Sequence, residues 1–480
     1  MGYVEGESRS QVVMFPEVMD DYIGAENPVR FIDAFVAQLE MGELGFKRAE
    51  PEERGRPGYD PRDLLKLYVY GYLNGIRSSR KLERETRRNV ELIWLMSKLA
   101  PDHKTIADFR KDHRKVLKKV FRAFTQLCRE LDLYGAELVG IDGSKFRAVN
   151  SRERNYTAAE LQSRLQWVEE KIEGYLKALQ EGDETEAGEA TLTSAELEAK
   201  IKQLRERQGQ YQQLEEQMHK SGEKQISLTD PEARLMKGRQ GKHVSYNMQA
   251  AVDSRHKLIA DFAVLNDEND MNCLARVAQS VQKELGVTQL KVVADRGYYN
   301  TAEIKECEAA GVEVYMERPR PKRTPGTYPL EKFTYDADTN AYVCPAGERL
   351  RYRHFDKTRQ AKVYWTNACE SCQLRSECTK GKIRRLKRPV GQDAADRMKV
   401  RVQQQPELVR QRKELVEHPF GTIKRAMGQD HLLLRGREKV TGEMSLTMLA
   451  YNLKRVFNVL GVEKLIARLG GKTENLVLAS

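Results

Sequence analysis

A chain of 480 residues with 40% hydrophobic and 32% charged side chains is long enough for two or three modules and too apolar for intrinsic disorder. No apolar run approaches the roughly 18 residues of a membrane span, and the first residues lack the basic-then-apolar layout of a signal peptide; a protein that stays inside the cell, with no membrane partner, is expected. Lys and Arg outnumber Asp and Glu by 82 to 71, a formal charge of +11 that suits an acidic polymer as partner.

Residues 1–135 read as a helical unit. Asp60-Pro-Arg-Asp63 is a helix start, with an aspartate cap and proline in the first turn, and Leu64, Leu65, Leu67, Tyr68 and Tyr72 follow at helical spacing. Gly71 and Gly75 are read as its end. A second helix over 78–88 is basic on one side and follows a short turn, in the manner of a helix-turn-helix; a third is expected from about Lys104 to Leu131. The unit either binds a nucleic acid or simply packs helices; Arg77, Arg80, Lys81, Arg84, Arg87 and Arg88 are the side chains that would meet phosphates, and Arg110–Lys119 is a further basic cluster.

The core is expected in two parts, 136–152 and 225–320. The first holds the apolar run Leu138, Val139, Ile141, which reads as a buried strand bearing Asp142 and followed by Gly143. Residues 153–224 change pattern. Leu161, Leu165, Val168, Ile172, Leu176 and Leu179 step by four and three, and Leu197, Ile201, Leu204, Tyr211, Leu214 and Met218 nearly repeat the pattern after a break at Gly182–Gly188. This predicts an inserted antiparallel helical hairpin with a coiled-coil seam, a spacer or a dimerisation arm. From Arg152 to Lys224 there are 16 acidic and 11 basic residues, so the basic surplus lies elsewhere. The second part predicts a hairpin of Val244–Asp253 with Lys257–Leu265, a helix over Met271–Leu285, and a strand Leu290–Val293 that delivers Asp295 into a turn before a helix near Thr301. Asp230, His243, Asn247, Asp253 and Asp270 are secondary polar candidates.

Residues 321–400 are expected to form a small insert. Cys344, Cys369, Cys372 and Cys378 include one C-x2-C knuckle, and four thiolates suit a tetrahedral structural Zn²⁺; Cys128, Cys273 and Cys307 are read as core thiols. Lys380–Arg388 has six basic residues in nine and no acid, with Lys382, Arg384 and Arg385 taken as DNA contacts; Arg318–Arg323 is a smaller basic cluster. Residues 401–480 are read as the C-terminal helical part of the core. Glu417 lies there at helical spacing, with Pro419 and Gly421 expected to interrupt the helix, and Lys424 and Arg425 beyond them as phosphate contacts.

Two strand-borne aspartates, Asp142 and Asp295, and a helix-borne glutamate, Glu417, suit hard divalent cations, Mg²⁺ or Mn²⁺. A two-metal site of this kind activates an oxygen nucleophile and steadies the leaving oxygen of a phosphodiester.

The segments Gly140-Ile-Asp-Gly-Ser144, Gly241–Asp253, Val293-Ala-Asp-Arg-Gly-Tyr-Tyr299, Val416–Lys424 and Leu449–Arg455 together resemble the bacterial insertion-sequence transposases of the DDE class. The resemblance implies an α/β ribonuclease H-like catalytic core beside the N-terminal all-helical domain, the helical hairpin and the zinc-stapled insert. It implies that Asp142, Asp295 and Glu417 are the catalytic triad and that Glu417 and Lys424 keep the glutamate-x6-lysine spacing of one branch. The tyrosine and arginine often found before that glutamate are not matched, Arg410 and Arg412 being nearest. The expected activity is hydrolysis at element ends followed by strand transfer into target DNA. Double-stranded DNA would be the partner, bound by a homodimer in the cytoplasm at the nucleoid. The alternatives are a metal-dependent nuclease of the same fold and a non-catalytic zinc-containing DNA-binding protein.

Overall fold

The structure is a computed structural model and describes residues 18–50, 58–150, 154–184, 194–238, 241–320 and 327–470. Among the described residues, seven α-helices precede the first strand: α1 (Pro28–Ala37), α2 (Met41–Leu44), α3 (Pro61–Leu73), α4 (Ser79–Glu85), α5 (Val90–Leu95), α6 (His103–Asp112) and α7 (Val116–Glu130). Asp60 caps α3 by accepting from Arg62 N, and Leu64, Leu65, Leu67, Tyr68 and Tyr72 are buried. Gly71 lies inside α3 rather than ending it. A Cβ there would meet Ile76 O at 2.6 Å and Leu82 Cδ2 at 2.8 Å, so this glycine lets α4 cross closely, while Gly75, at φ +73°, makes the turn. The helix expected over 78–88 ends at Glu85. The single helix expected from Lys104 to Leu131 is two, broken at His113, whose Nε2 accepts from Lys47 N and whose ring packs on Phe46 and Phe109. That tertiary contact overrides a continuous helical pattern.

Strand β1 (Leu138–Arg147) opens the main sheet. Then come β2 (Asn155–Thr157), the long helices α8 (Ala158–Glu184) and α9 (Ser194–Ser221), and β3 (Gln225–Ser227), which pairs with β2 at the base of the helical hairpin. Val168 and Ile172 pack on Ile201 and Leu204 along the seam. Glu184 still belongs to α8, so the break read at Gly182–Gly188 begins within that helix, and residues 185–193 lie outside the described residues.

The main sheet continues with β4 (Arg234–Gly238), β5 (Gly241–Asp253), β6 (Ile259–Leu265), β7 (Leu290–Val293) and β8 (Val312–Tyr315). Its order is β4-β5-β1-β7-β8, with β6 also on the β5 edge; β1 runs antiparallel to β5 and parallel to β7, and β7 parallel to β8. Leu290, Val292 and Val293 of β7 are all buried, as expected of a central strand covered on both faces. Helices α10 (Leu274–Leu285) and α11 (Thr301–Ala309) complete this region, α10 packing on β5 and β6 and α11 on α10 and β8.

A separate antiparallel sheet follows: β9 (Thr334–Asp336), β10 (Ala341–Val343), β11 (Arg349–Asp356), β12 (Ala361–Trp365) and β13 (Leu386–Pro389), with the short α12 (Arg375–Cys378) before β13. Phe333, Tyr342, Leu350, Tyr364 and Leu386 form its own small core. The chain ends in α13 (Gln392–Gln404), α14 (Pro406–Gly421), α15 (Arg437–Leu460) and α16 (Val462–Gly470). Pro419 and Gly421 do not interrupt α14; the helix runs through both and widens into a π-helical turn over Thr422–Ala426.

Buried α15 joins the parts. It packs on α3, α7 and β6, and one continuous apolar core runs from Ile23 through the main sheet to Leu469. The Tyr451-Asn452 pair of the Leu449–Arg455 segment explains part of that attachment. Tyr451 Oη donates to Lys257 O, the Asn452 amide bonds both the N–H and C=O of Ile259, and Arg455 donates to His256 O. Three consecutive-turn side chains thereby clamp the β5–β6 hairpin turn. No helix among the described residues is long and apolar enough to cross a membrane.

Candidate active site

The sheet register sets the site. Gly140 pairs with Val293, so Asp142 and Asp295 each stand two residues beyond paired positions of adjacent parallel strands. Asp295 has just left β7 and caps a single 3₁₀ turn by accepting from Gly297 N; a Cβ on Gly297 would sit 2.7 Å from Asp295 Oδ1, so this turn needs the glycine.

Even-numbered positions of β1 face α14. A Cβ on Gly140 would lie 2.7 Å from Val416 Cγ1, so the glycine admits the helix against the strand. Asp142, on the same face, accepts from Gly143 N at 2.9 Å and lies 3.9 Å from Arg412 Nη1 of α14. Burial pushes its carboxyl up to about 6; the Arg412 guanidinium and the Gly143 amide oppose this, and the charges of Asp295 and Asp270 reinforce it. Asp142 and Asp295 are therefore within electrostatic reach of each other.

Glu417 is exposed on α14, one residue beyond the Val416–Gly140 contact, and is not among the principal charges acting on Asp142. The helix packs on the strand that bears Asp142, and Glu417 lies on its exposed side.

Odd positions of β1 face the other way. A Cβ on Gly143 would fall 2.3 Å from Gln249 Nε2 and 2.8 Å from Asp270 Oδ1. Asp270 accepts from Asn247 Nδ2 and Gln249 Nε2, both at 2.7 Å, and faces Lys145 Nζ at 3.6 Å; Tyr298 donates to Gln249 Oε1. Burial lowers the Lys145 ammonium's pKa, with Asp270 opposing. Asp270 and Asn247 are secondary candidates in the sequence, whereas Lys145, Gln249 and Tyr298 emerge only from the fold. Alternation along the strand from Gly143 to Lys145 was the available signal. Of the remaining secondary candidates, Asp253 accepts from Gly135, Ala136 and Arg255 N–H groups, and Asp230 accepts from Tyr246 Oη and Gly436 N, which gives both turn-fastening roles.

Basic residues divide by burial. Arg77 is no DNA contact here: it is buried at 8% exposure, donates to His431 O, and lies 3.5 Å from the fully buried Glu443 of α15. Arg80, Lys81, Arg84, Arg87 and Arg88 are exposed, the last three beside Glu83 or Glu85. Lys424 Nζ donates to Lys145 O at 2.7 Å and lies over the Phe146 ring, docked on β1 three residues from Asp142, whereas Arg425 is exposed. Lys382 and Arg385 are exposed, but Arg384 turns inward to Tyr328 O and Cys378 O and is corrected from a DNA contact to a brace of the insert. Of the Arg318–Arg323 cluster, residues 321–323 lie outside the described residues.

Among the described residues no group of three or more His, Cys, Asp or Glu side chains stands ready to hold a metal ion. Cys344, Cys369, Cys372 and Cys378 nevertheless line a single cavity together with Phe333 and Leu350. Burial raises the Cys378 thiol, and the other three cysteines add to the rise.

Two family models match. The Transposase domain (DUF772) covers residues 17–112 and the Transposase DDE domain covers residues 343–457, the second including all four insert cysteines and Glu417 but neither Asp142 nor Asp295. The chain is a DNA transposase, an enzyme of the DNA-cleaving kind. Within that class the second match is to a domain of the DDE type. No curated protein matches the chain. A solved structure, the cryo-EM piggyBac transposase synaptic complex with hairpin DNA, is 10% identical, with 95% of this chain and 83% of that one covered at a TM-score of 0.31. At that level the reading rests on this chain's own residues.

Proposed function

We propose that this transposase hydrolyses the phosphodiester at each end of its element and joins the freed 3′-hydroxyl to target DNA, with Asp142, Asp295 and Glu417 as the acidic triad of a ribonuclease H-like core. The observation that carries the assignment is the parallel pairing of β1 with β7, which delivers Asp142 and Asp295 at one level, with α14 seated on the same strand. The order β4-β5-β1-β7-β8, antiparallel then parallel about β1, supports the ribonuclease H-like reading.

The three carboxylates would hold Mg²⁺ or Mn²⁺, which supplies nucleophile activation and charge neutralisation at phosphorus. The donor set fits. Asp142 and Asp295 are oxygen donors at one end of adjacent strands, and the Asp142 anion is penalised by burial and by the Asp295 charge, a penalty that a divalent cation would relieve. Arg412 partly balances Asp142 and holds it towards α14. Lys424, fixed on β1, presents a fixed positive charge beside the site. Exposed Arg80, Lys81, Arg84, Arg87 and Arg88 of the helical region would contact duplex phosphates and position the DNA.

The test is incubation with Mg²⁺, labelled element ends and supercoiled plasmid, beside Asp295→Asn. Joined products that fall at least about 10³-fold in the variant are expected; cleavage without joining would instead make the protein a nuclease.

The shared cavity of Cys344, Cys369, Cys372 and Cys378 further supports a structural Zn²⁺ that staples the insert. One zinc per chain by atomic absorption is expected, lost in Cys372→Ser; zinc-free, fully folded protein would refute it.

A further inference from the structure

The cysteine insert carries a second basic surface that the site above does not use. From Arg349 to Trp365 there are six Lys or Arg and one acid, and from Lys380 to Arg388 six more with none. The register sorts these by face. Leu350, Tyr342, Tyr364 and Leu386 pair across the sheet and point into the insert's own core. Arg351 pairs with Trp365, His354 with Val363, and Val363 with Lys387, which puts them on the opposite face, where Val363 is covered and Arg351 and His354 are exposed. Arg349 shares that face by alternation. Arg353, at the β-bulge, lies 5.0 Å over the Trp365 ring, and Arg385 lies 5.6 Å over it.

Arg349, Arg351, Arg353 and Arg385 are all exposed, and the acid of this stretch, Asp356, is already bonded to Lys387 at 2.8 Å. Stacking on Trp365 holds two guanidinium planes in place while leaving their charge uncompensated. Along β11 the alternate arginines Arg349 and Arg351 stand about 7 Å apart, and Arg385, just before β13, lies about 10 Å across the sheet from that row, with Trp365 of β12 between them. This face has an aromatic platform at Trp365, and two acids within its reach, Asp356 and Asp336, are bonded to Lys387 and Thr339.

We propose that the outer face of β11–β12–β13 is a DNA-backbone contact, separate from the acidic site, that binds duplex phosphates without reading sequence. The inference rests on the DNA-transposase reading for its choice of polyanion; the geometry supplies the face and the residues.

The test uses the full chain without divalent metal, so that cleavage does not enter. Binding of a labelled random-sequence duplex is measured across NaCl concentrations for the native protein, for the quadruple variant Arg349→Gln, Arg351→Gln, Arg353→Gln, Arg385→Gln, and for the same four positions changed to Lys. The Gln variant is expected to bind at least roughly tenfold more weakly at moderate salt and to lower the log–log salt slope by up to about 3.6, since each of four phosphate contacts contributes about 0.9. The Lys variant keeps the charge and is expected to keep most of the slope, which separates charge loss from misfolding. An unchanged slope in the Gln variant overturns the proposal, as does equal loss in both variants. Equally tight binding of labelled polyglutamate would show a general polyanion surface and also overturn it. Salt-dependent binding through these arginines in a protein that never joins DNA would sustain this surface while removing the strand-transfer reading.

Discussion

The two faces of β1 carry carboxylates in opposite circumstances. Towards α14, Asp142 has one backbone donor and a guanidinium at 3.9 Å, too far for a hydrogen bond, and burial raises its pKa to about 6. Towards α10, Asp270 accepts from two side-chain amides at 2.7 Å and faces an ammonium. The same residue type, one strand apart in orientation, is under-satisfied on one face and well satisfied on the other. A satisfied carboxylate holds structure; an under-satisfied one beside a second aspartate is held ready for a cation. Gly143 marks the division, because any side chain there would collide with Gln249 and Asp270.

This contrast breaks most visibly at Asp270. Asp270→Ala would take one acceptor from each of the Asn247 and Gln249 amides, which keep Asp267 O and Asn247 Oδ1, and would take the counter-charge from the part-buried Lys145, at a cost of about 2 kcal/mol in urea unfolding. Lys145→Met in the same background should recover part of that loss, because the unpaired cation is gone. A loss below about 1 kcal/mol would remove Asp270 from the structural role.

Asp142→Asn should act in the other direction. The folded protein holds the Asp142 proton more tightly than the unfolded chain, so its contribution to stability is present below about pH 4 and is lost as pH rises through about 6. Asparagine does not titrate. The metal-free variant is therefore expected to be more stable than the native protein at pH 7 by about 1–2 kcal/mol, after allowance for the quarter-exposed side chain, and to lose that advantage below pH 4. A pH-independent difference between the two proteins would contradict the burial account. A stabilised, inactive variant is the signature of strain kept for function.

Much of this architecture was legible where one periodicity ruled without competition. The α8–α9 seam, the β5–β6 hairpin and the apolar runs ending at Asp142 and Asp295 follow directly from spacing of three and four, or from alternation. Legibility failed where a distant partner decided. Nothing local marks Arg77 for burial, since its partners Glu443 and His431 lie more than 350 residues away. Arg384 sits in the same basic run as exposed Arg385, and strand alternation together with the inward acceptors Tyr328 and Cys378 sets them apart. Pro419 predicted a helix end, but buried Leu415, Val416 and Phe420 hold α14 on the sheet and the backbone adjusts by widening the following turn. Asp142 and Asp295 could be named from their strands, whereas Glu417 lies on a helix exposed on one side, where a carboxylate has many reasons to be.

The most direct measurement is a crystal of the protein soaked in Mn²⁺ and collected at the manganese edge. The account predicts an anomalous peak coordinated by Asp142 and Asp295, with Glu417 a ligand of that ion or its neighbour. A peak on Asp270 with none between Asp142 and Asp295 would contradict it.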